Sequence, residues 1–92
     1  MGNITISEMR KRNEEAGHHW FSDGNMKLFG TKIESPPNRK GLFVTSEYID
    51  AEIKKRAYTI RHFDEETGHI NTVNEFLQYK TLKEAIWERD QI

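Results

Sequence analysis

Apolar positions change their spacing several times along the chain. Over the first 16 residues they are sparse and helical: Ile6, Met9 and Ala16 share a thin stripe, while Arg10, Lys11, Arg12, Glu14 and Glu15 fall largely outside it. Thr5-Ile6-Ser7-Glu8 is a capping box, in which Thr5 accepts from the Glu8 amide and Glu8 reaches back to the Thr5 amide. Ile4 and Met9 then stand at the two staple positions, and Gly17 suits the left-handed residue just past a helix end. The pattern predicts a helix over residues 6–16 that lies on a domain rather than inside it.

A second, shorter device follows at Phe21-Ser22-Asp23-Gly24-Asn25-Met26, with Ser22 as cap and Phe21 stapled to Met26. It predicts one short helical turn ended by Gly30, with Trp20, Phe21, Met26, Leu28 and Phe29 feeding the core. Ser35-Pro36-Pro37-Asn38-Arg39-Lys40-Gly41 is a loop, because proline blocks helix and ladder alike.

The middle of the chain is β in character. Leu42–Ser46 is a short strand, and Ala57–Phe63 and Ile70–Tyr79 are two longer ones. Asp64-Glu65-Glu66-Thr67-Gly68-His69 joins the long pair as a hairpin, with Gly68 taking the left-handed conformation. Counting outward sets Asp64 opposite His69, Phe63 opposite Ile70, Arg61 opposite Thr72, Ile60 opposite Val73 and Ala57 opposite Phe76. Neither hairpin face is purely polar, so the sheet is expected to be covered on one side and partly covered on the other. Thr81-Leu82-Lys83-Glu84 is another capping box and opens a helix to about residue 90. Its inner stripe is Leu82, Ala85, Ile86 and the Arg89 stem, and Trp87 lies about 100° round from Ile86. The expectation is one α+β domain over residues 1–92: N-terminal helix, short helical turn, three-stranded antiparallel meander, C-terminal helix.

Composition narrows the function. A length of 92 residues leaves no room for a second domain. At 35% hydrophobic and 32% charged the core must be small, and the ten aromatic residues must carry much of it. No apolar run approaches the ~18 residues of a membrane span, and the N-terminus lacks a charged-then-apolar signal pattern, so a cytoplasmic location is expected. Zero cysteine removes disulfides, thiol catalysis and cysteine-type zinc sites. A net charge of −1 excludes both a strongly basic nucleic-acid binder and an acidic DNA mimic.

Several runs carry a family resemblance. They are Trp20-Phe21-Ser22, Met26-Lys27-Leu28-Phe29-Gly30-Thr31-Lys32-Ile33, Phe43-Val44-Thr45-Ser46-Glu47, Tyr58-Thr59-Ile60-Arg61, Phe63-Asp64, Thr67-Gly68-His69-Ile70 and Thr72-Val73-Asn74-Glu75-Phe76. In order and spacing they resemble a family of small uncharacterised proteins of bacteriophages, plasmids and other mobile elements. The likeness covers about residues 20–79 and carries no catalytic motif. It implies a mobile-element origin and an accessory role, modulating the host or its defences.

The residues themselves offer three sets to weigh. His62, Asp64 and His69 fall on one face of the expected register, with Asp64 and His69 about 5 Å apart at Cβ. Two histidines and a carboxylate can hold iron, or zinc with water. The plainer reading is a charge pair at a hairpin mouth whose aspartate bonds turn amides. No metal site and no cofactor are expected.

Lys54, Lys55, Arg56 and Arg61 form a basic set, and Phe63 and Phe76 share a predicted sheet face with Arg61. Aromatics among basic and polar residues on an open sheet can stack single-stranded bases. The charge distribution leans against this. Residues 1–40 hold seven basic against five acidic residues and 41–63 four against three, but 64–92 hold three against seven. The acidic third includes the strand that carries Phe76.

Trp87 is hard to bury for the angular reason above, and surface aromatics favour protein interfaces. Glu84, Glu88 and Asp90 on the same helix would steer a basic partner. A homodimer is the other arrangement such a residue allows. No nucleophile elbow and no phosphate-cradling glycine loop is present, so no enzymatic activity is expected. The function expected is that of a small interaction protein, with a single-strand nucleic-acid module as the alternative.

Overall fold

A computed structural model describes residues 4–28, 30–50 and 52–92. The elements in chain order are α1 (Ile6–Glu15), α2 (Asp23–Leu28), β1 (Lys32–Ile33), β2 (Leu42–Asp50), β3 (Lys55–Phe63), β4 (Ile70–Val73) and α3 (Leu82–Gln91). The four strands form one antiparallel sheet in the order β1-β2-β3-β4.

Both capping boxes set helix starts. Thr5 Oγ1 accepts from the Glu8 amide and Thr81 Oγ1 from the Glu84 amide, each at 3.1 Å. Ile4 and Met9 are both buried, as a staple requires, and Gly17 follows α1 at φ +84°. The β3–β4 hairpin has the expected register at Phe63–Ile70, Arg61–Thr72 and Ile60–Val73. The Asp64 amide donates to the His69 carbonyl at 2.9 Å, and Gly68 sits at φ +76°.

Three expectations are corrected. The sheet has four strands, because Lys32 and Ile33 pair with Ser46 and Thr45. A strand of two residues has too few positions to show a period-two pattern. The last strand ends at Val73 rather than Tyr79, so Ala57 does not face Phe76. Asn74 and Leu77 adopt φ +61° and +59°, which turns the chain off the sheet. Tyr79 then returns as an isolated bridge to Tyr58, through paired backbone bonds of 2.7 and 3.1 Å. A buried cluster stands on each sheet face, and the α3 side is the more open one, with Arg56, Tyr58 and His62 only half-buried. Ile4, Met9, Phe21, Phe43 and Phe63 pack on the α1–α2 side. Leu42, Val44, Ile60, Tyr79 and Ala85 pack on the α3 side. Finally, Leu28 is 69% exposed and does not feed the core; Phe29 lies outside the described residues.

Burial on this scale is what holds the sheet. Each fully buried Phe or Ile contributes about 1.5–3 kcal/mol, and Phe43, Phe63 and Ile60 are all within 1% of full burial. No helix among the described residues is long and apolar enough to cross a membrane.

Candidate functional site

The α1–α2 face of the sheet is apolar at one end and polar at the other. Phe43 and Phe63 fill the apolar end, while Thr45, Glu47, Thr59 and Arg61 continue the same two strands as buried polar residues. Strand alternation places all of them on one face. Arg61 is the hub. Its Nε donates to Thr45 Oγ1 at 3.2 Å, its Nη1 to Thr72 Oγ1 at 2.5 Å and its Nη2 to Glu47 Oε2 at 3.1 Å. The other Glu47 oxygen accepts from Thr59 Oγ1 at 3.0 Å, and Thr59 Oγ1 in turn accepts from the Leu77 amide at 2.9 Å.

Above this network opens a cleft of about 290 Å³, lined by Trp20, Asn25, Thr31, Arg61 and Phe76. The Arg61 guanidinium carbon lies 5.8 Å from the centre of the Trp20 ring and 5.3 Å from that of Phe76, which places a cation against two aromatic rings. Trp20 is held by its backbone: its amide donates to Asn13 Oδ1 at 2.8 Å, and its carbonyl accepts from Asn25 Nδ2 at 2.6 Å. Asn13 is fully buried and also donates to the Gly68 carbonyl at 2.7 Å, tying the cleft wall to α1 and to the hairpin loop.

The sequence-derived sets separate in space. Of the basic set, Arg61 is on the α1–α2 face, whereas Arg56, one step off in strand alternation, is on the opposite face. There Arg56 donates to Ser46 Oγ at 2.9 Å, to the Ser46 carbonyl at 2.7 Å and to the Gly30 carbonyl, and it rests 4.4 Å from the Tyr48 ring centre. Lys54 is in the β2–β3 turn, Lys55 opens β3, and both are exposed. Phe63 is 1% exposed in the core, and Phe76 is 40% exposed at the cleft.

His62, Asp64 and His69 each have other company. Asp64 Oδ1 accepts from the amides of Glu66 at 2.9 Å and Thr67 at 3.4 Å. The His69 ring meets that of His18, centre to centre at 3.8 Å. His62 borders Gly41. No three His, Asp or Glu among the described residues are grouped as ion ligands.

On α3, Leu82, Ala85 and Ile86 turn to the sheet and Trp87 is 60% exposed. Trp87 borders a shallow apolar depression of about 330 Å³ with Thr81, Lys83 and Glu84. Glu84 and Asp90 are exposed and Glu88 is half-buried. Asp90 accepts from Arg89 Nε at 3.2 Å and Nη2 at 3.0 Å, and Arg89 Nη1 reaches Ser35 Oγ at 3.0 Å.

Sequence reasoning missed Glu47, Thr45 and Trp20 as parts of a site. The available signal was the alternation of Thr45 and Glu47 across from Thr59 and Arg61, which places hydroxyls, an acid and a base on the same face as Phe43 and Phe63.

The pattern of DUF7447, a family of unknown function, matches residues 5–90. No curated protein and no solved structure matches the chain.

Proposed function

For a chain that belongs to this family of unknown function, we propose the role of a non-enzymatic interaction protein of mobile-element origin, acting in the cytoplasm on a host or defence protein. The observation that carries the reading is Trp87, 60% exposed on a helix whose opposite side is anchored in the core. An exposed indole on a rigid element can enter a partner's pocket at little entropic cost. Glu84 and Asp90 lie three residues either side of Trp87, so they share its side of the helix. Glu88 follows Glu84 by one turn. This acidic surround selects a partner with basic residues around an apolar pocket. An isologous homodimer through Trp87 would bring these acids towards their own copies and is the weaker reading.

The test is affinity capture from nuclease-treated lysate of a bacterial host, with mass spectrometry, using the natural chain and Trp87→Ala side by side. The expected result is a protein retained by the first, lost by the second and unaffected by nuclease. Capture that survives Trp87→Ala, or that needs nucleic acid, overturns the reading.

A further inference from the structure

The two edges of the sheet are guarded differently. β1 is two residues long, carries an exposed Lys32 and leads into Pro36 and Pro37, features that keep a sheet edge from pairing. β4 has none of them. It holds no charge, no proline and no bulge. It lies within Thr67–Asn74, which at eight residues is the longest uncharged run of a chain that is 32% charged, with histidine counted as neutral.

The ladder fixes which backbone groups of β4 stay open. The Asp64 amide donates to the His69 carbonyl, and Tyr58 and Tyr79 exchange paired bonds, so even-numbered residues of β3 turn their backbone groups towards β4. The Phe63 amide donates to the Gly41 carbonyl, on the other side of β3. Antiparallel bonding alternates, so Asn71 and Val73 bond inward to His62 and Ile60, while Ile70 and Thr72 present their N–H and C=O groups outward. No backbone group of another segment among the described residues bonds these outward groups. The edge is also held in place. Thr72 Oγ1 accepts from Arg61 Nη1 at 2.5 Å, and Ile70 packs half-buried on the α1–α2 cluster.

We propose that β4 pairs antiparallel with β4 of a second copy of this chain, about a two-fold axis at Asn71, so that two four-stranded sheets become one continuous sheet. In that register Ile70 of each copy faces Thr72 of the other, and every outward N–H and C=O of the two residues finds a partner. Ile and Thr are both β-branched, a pairing suited to a sheet surface. Asn71 meets its own counterpart about 5 Å away at Cβ, where two neutral amides bond each other. No like charges come together, unlike a dimer through Trp87, which would bring Glu84 and Asp90 towards their own copies. A foreign strand would satisfy the same backbone groups; the second copy matches side chain to side chain as well. A contact this short buries less than the ~1,200–2,000 Å² of a stable interface, so the dimer is weak and forms as concentration rises. It leaves α3 unused.

Analytical ultracentrifugation of the natural chain from about 10 μM to about 1 mM tests this. The average mass should rise towards that of a dimer. Asn71 is exposed, so its substitution spares the fold. Asn71→Lys and Asn71→Glu each set like charges directly opposite one another and should weaken self-association about fivefold or more. An equimolar mixture of the two variants should recover it, because opposite charges then face each other across the axis. Should either variant fail to fold, amide exchange in the natural chain provides an independent reading. The Ile70 and Thr72 amides should gain protection as concentration rises, while the Trp87 indole N–H resonance stays in place. A monomer at the highest concentration, self-association that Asn71→Lys leaves unchanged or that Trp87→Ala removes, a mixture no better than either variant, or Ile70 and Thr72 amides insensitive to concentration overturns the proposal. Protection of those amides that appears only with bacterial lysate present assigns the edge to a foreign strand and overturns it too.

Discussion

Glu47, fully buried, holds Arg61 by an ion pair of 3.1 Å set inside the sheet. Both carboxylate oxygens are used, one by Arg61 and one by Thr59, and none of the described buried side-chain polar atoms lacks a partner. A pair of this kind costs more to break than it contributes by forming. Glu47→Ala leaves the Arg61 charge buried without its counterion. It should destabilise the fold by about 3–5 kcal/mol in urea unfolding, whereas Glu47→Leu with Arg61→Met should recover most of that loss. A double variant as unstable as the single one would show that the pair itself, and not the stranded charge, is what matters.

Gly68 is required for two reasons at once. Its φ of +76° strains any residue with a Cβ, and a Cβ there would meet Ala16 Cβ at 2.8 Å and the Arg12 carbonyl oxygen at 3.0 Å. Gly17 has the first constraint without the second: its φ is +84° and the space around it is open. Gly17→Ala should therefore cost about 1–2 kcal/mol, the left-handed penalty alone. Gly68→Ala should cost clearly more, because α1 must also move off the hairpin loop. Comparing the two unfolding midpoints checks this, and equal costs would show that the helix yields freely.

These positions explain what the sequence made legible. Thr5, Thr81 and Gly68 act within four residues of themselves, so their caps and turn could be read from spacing alone. Residues 74–79 could not. Asn74-Glu75-Phe76-Leu77 extends a β pattern, but the Leu77 amide finds Thr59 Oγ1, 18 positions away, and the strand breaks. The cleft was hidden for the same reason. The pattern assigns Trp20 to the core, and it does pack on the core as a half-buried residue. Only tertiary placement brings its ring near Arg61, 41 positions on in the chain. The hydrogen bonds that orient Arg61 come from three separate strand positions, and no local motif encodes them.

Phe63 and Trp87 should behave as opposites. Phe63 is 1% exposed at the centre of the α1–α2 core, so Phe63→Ala should cost about 3–5 kcal/mol. Trp87 is 60% exposed, and Trp87→Ala should leave stability within about 0.5 kcal/mol. Thermal unfolding of both variants decides it. A large loss from Trp87→Ala would assign that indole a structural role and weaken its use as a contact.

His62, Asp64 and His69 should show no tight metal site. Asp64 Oδ1 is already accepting from two turn amides, and the His69 ring lies against His18. Calorimetry with zinc and with ferrous iron should give no stoichiometric sub-micromolar titration. One that disappears in His62→Ala and in His69→Ala would show that the loop rearranges around an ion.

Leu77 offers the sharpest test of how the cleft is built. Its φ of +59° is uncommon for a side chain of its size, and left-handed backbone costs an L-residue about 1–2 kcal/mol. The conformation is held from outside: the Leu77 amide donates to Thr59 Oγ1 at 2.9 Å, inside the network that also holds Glu47 and Arg61. Together with Asn74 at φ +61°, it brackets Phe76, whose ring stands 5.3 Å from the Arg61 guanidinium carbon. In ordinary extended or helical backbone, glycine is less stable than alanine by about 0.5–1 kcal/mol. At Leu77 the order should invert. Leu77→Ala and Leu77→Gly both lose the half-buried side chain, but only glycine relieves the strain. Leu77→Gly should therefore be more stable than Leu77→Ala by about 1 kcal/mol in chemical denaturation. The usual order, with alanine the more stable, would mean that Leu77 does not hold a left-handed conformation in solution, and that the segment presenting Phe76 to the cleft is built differently.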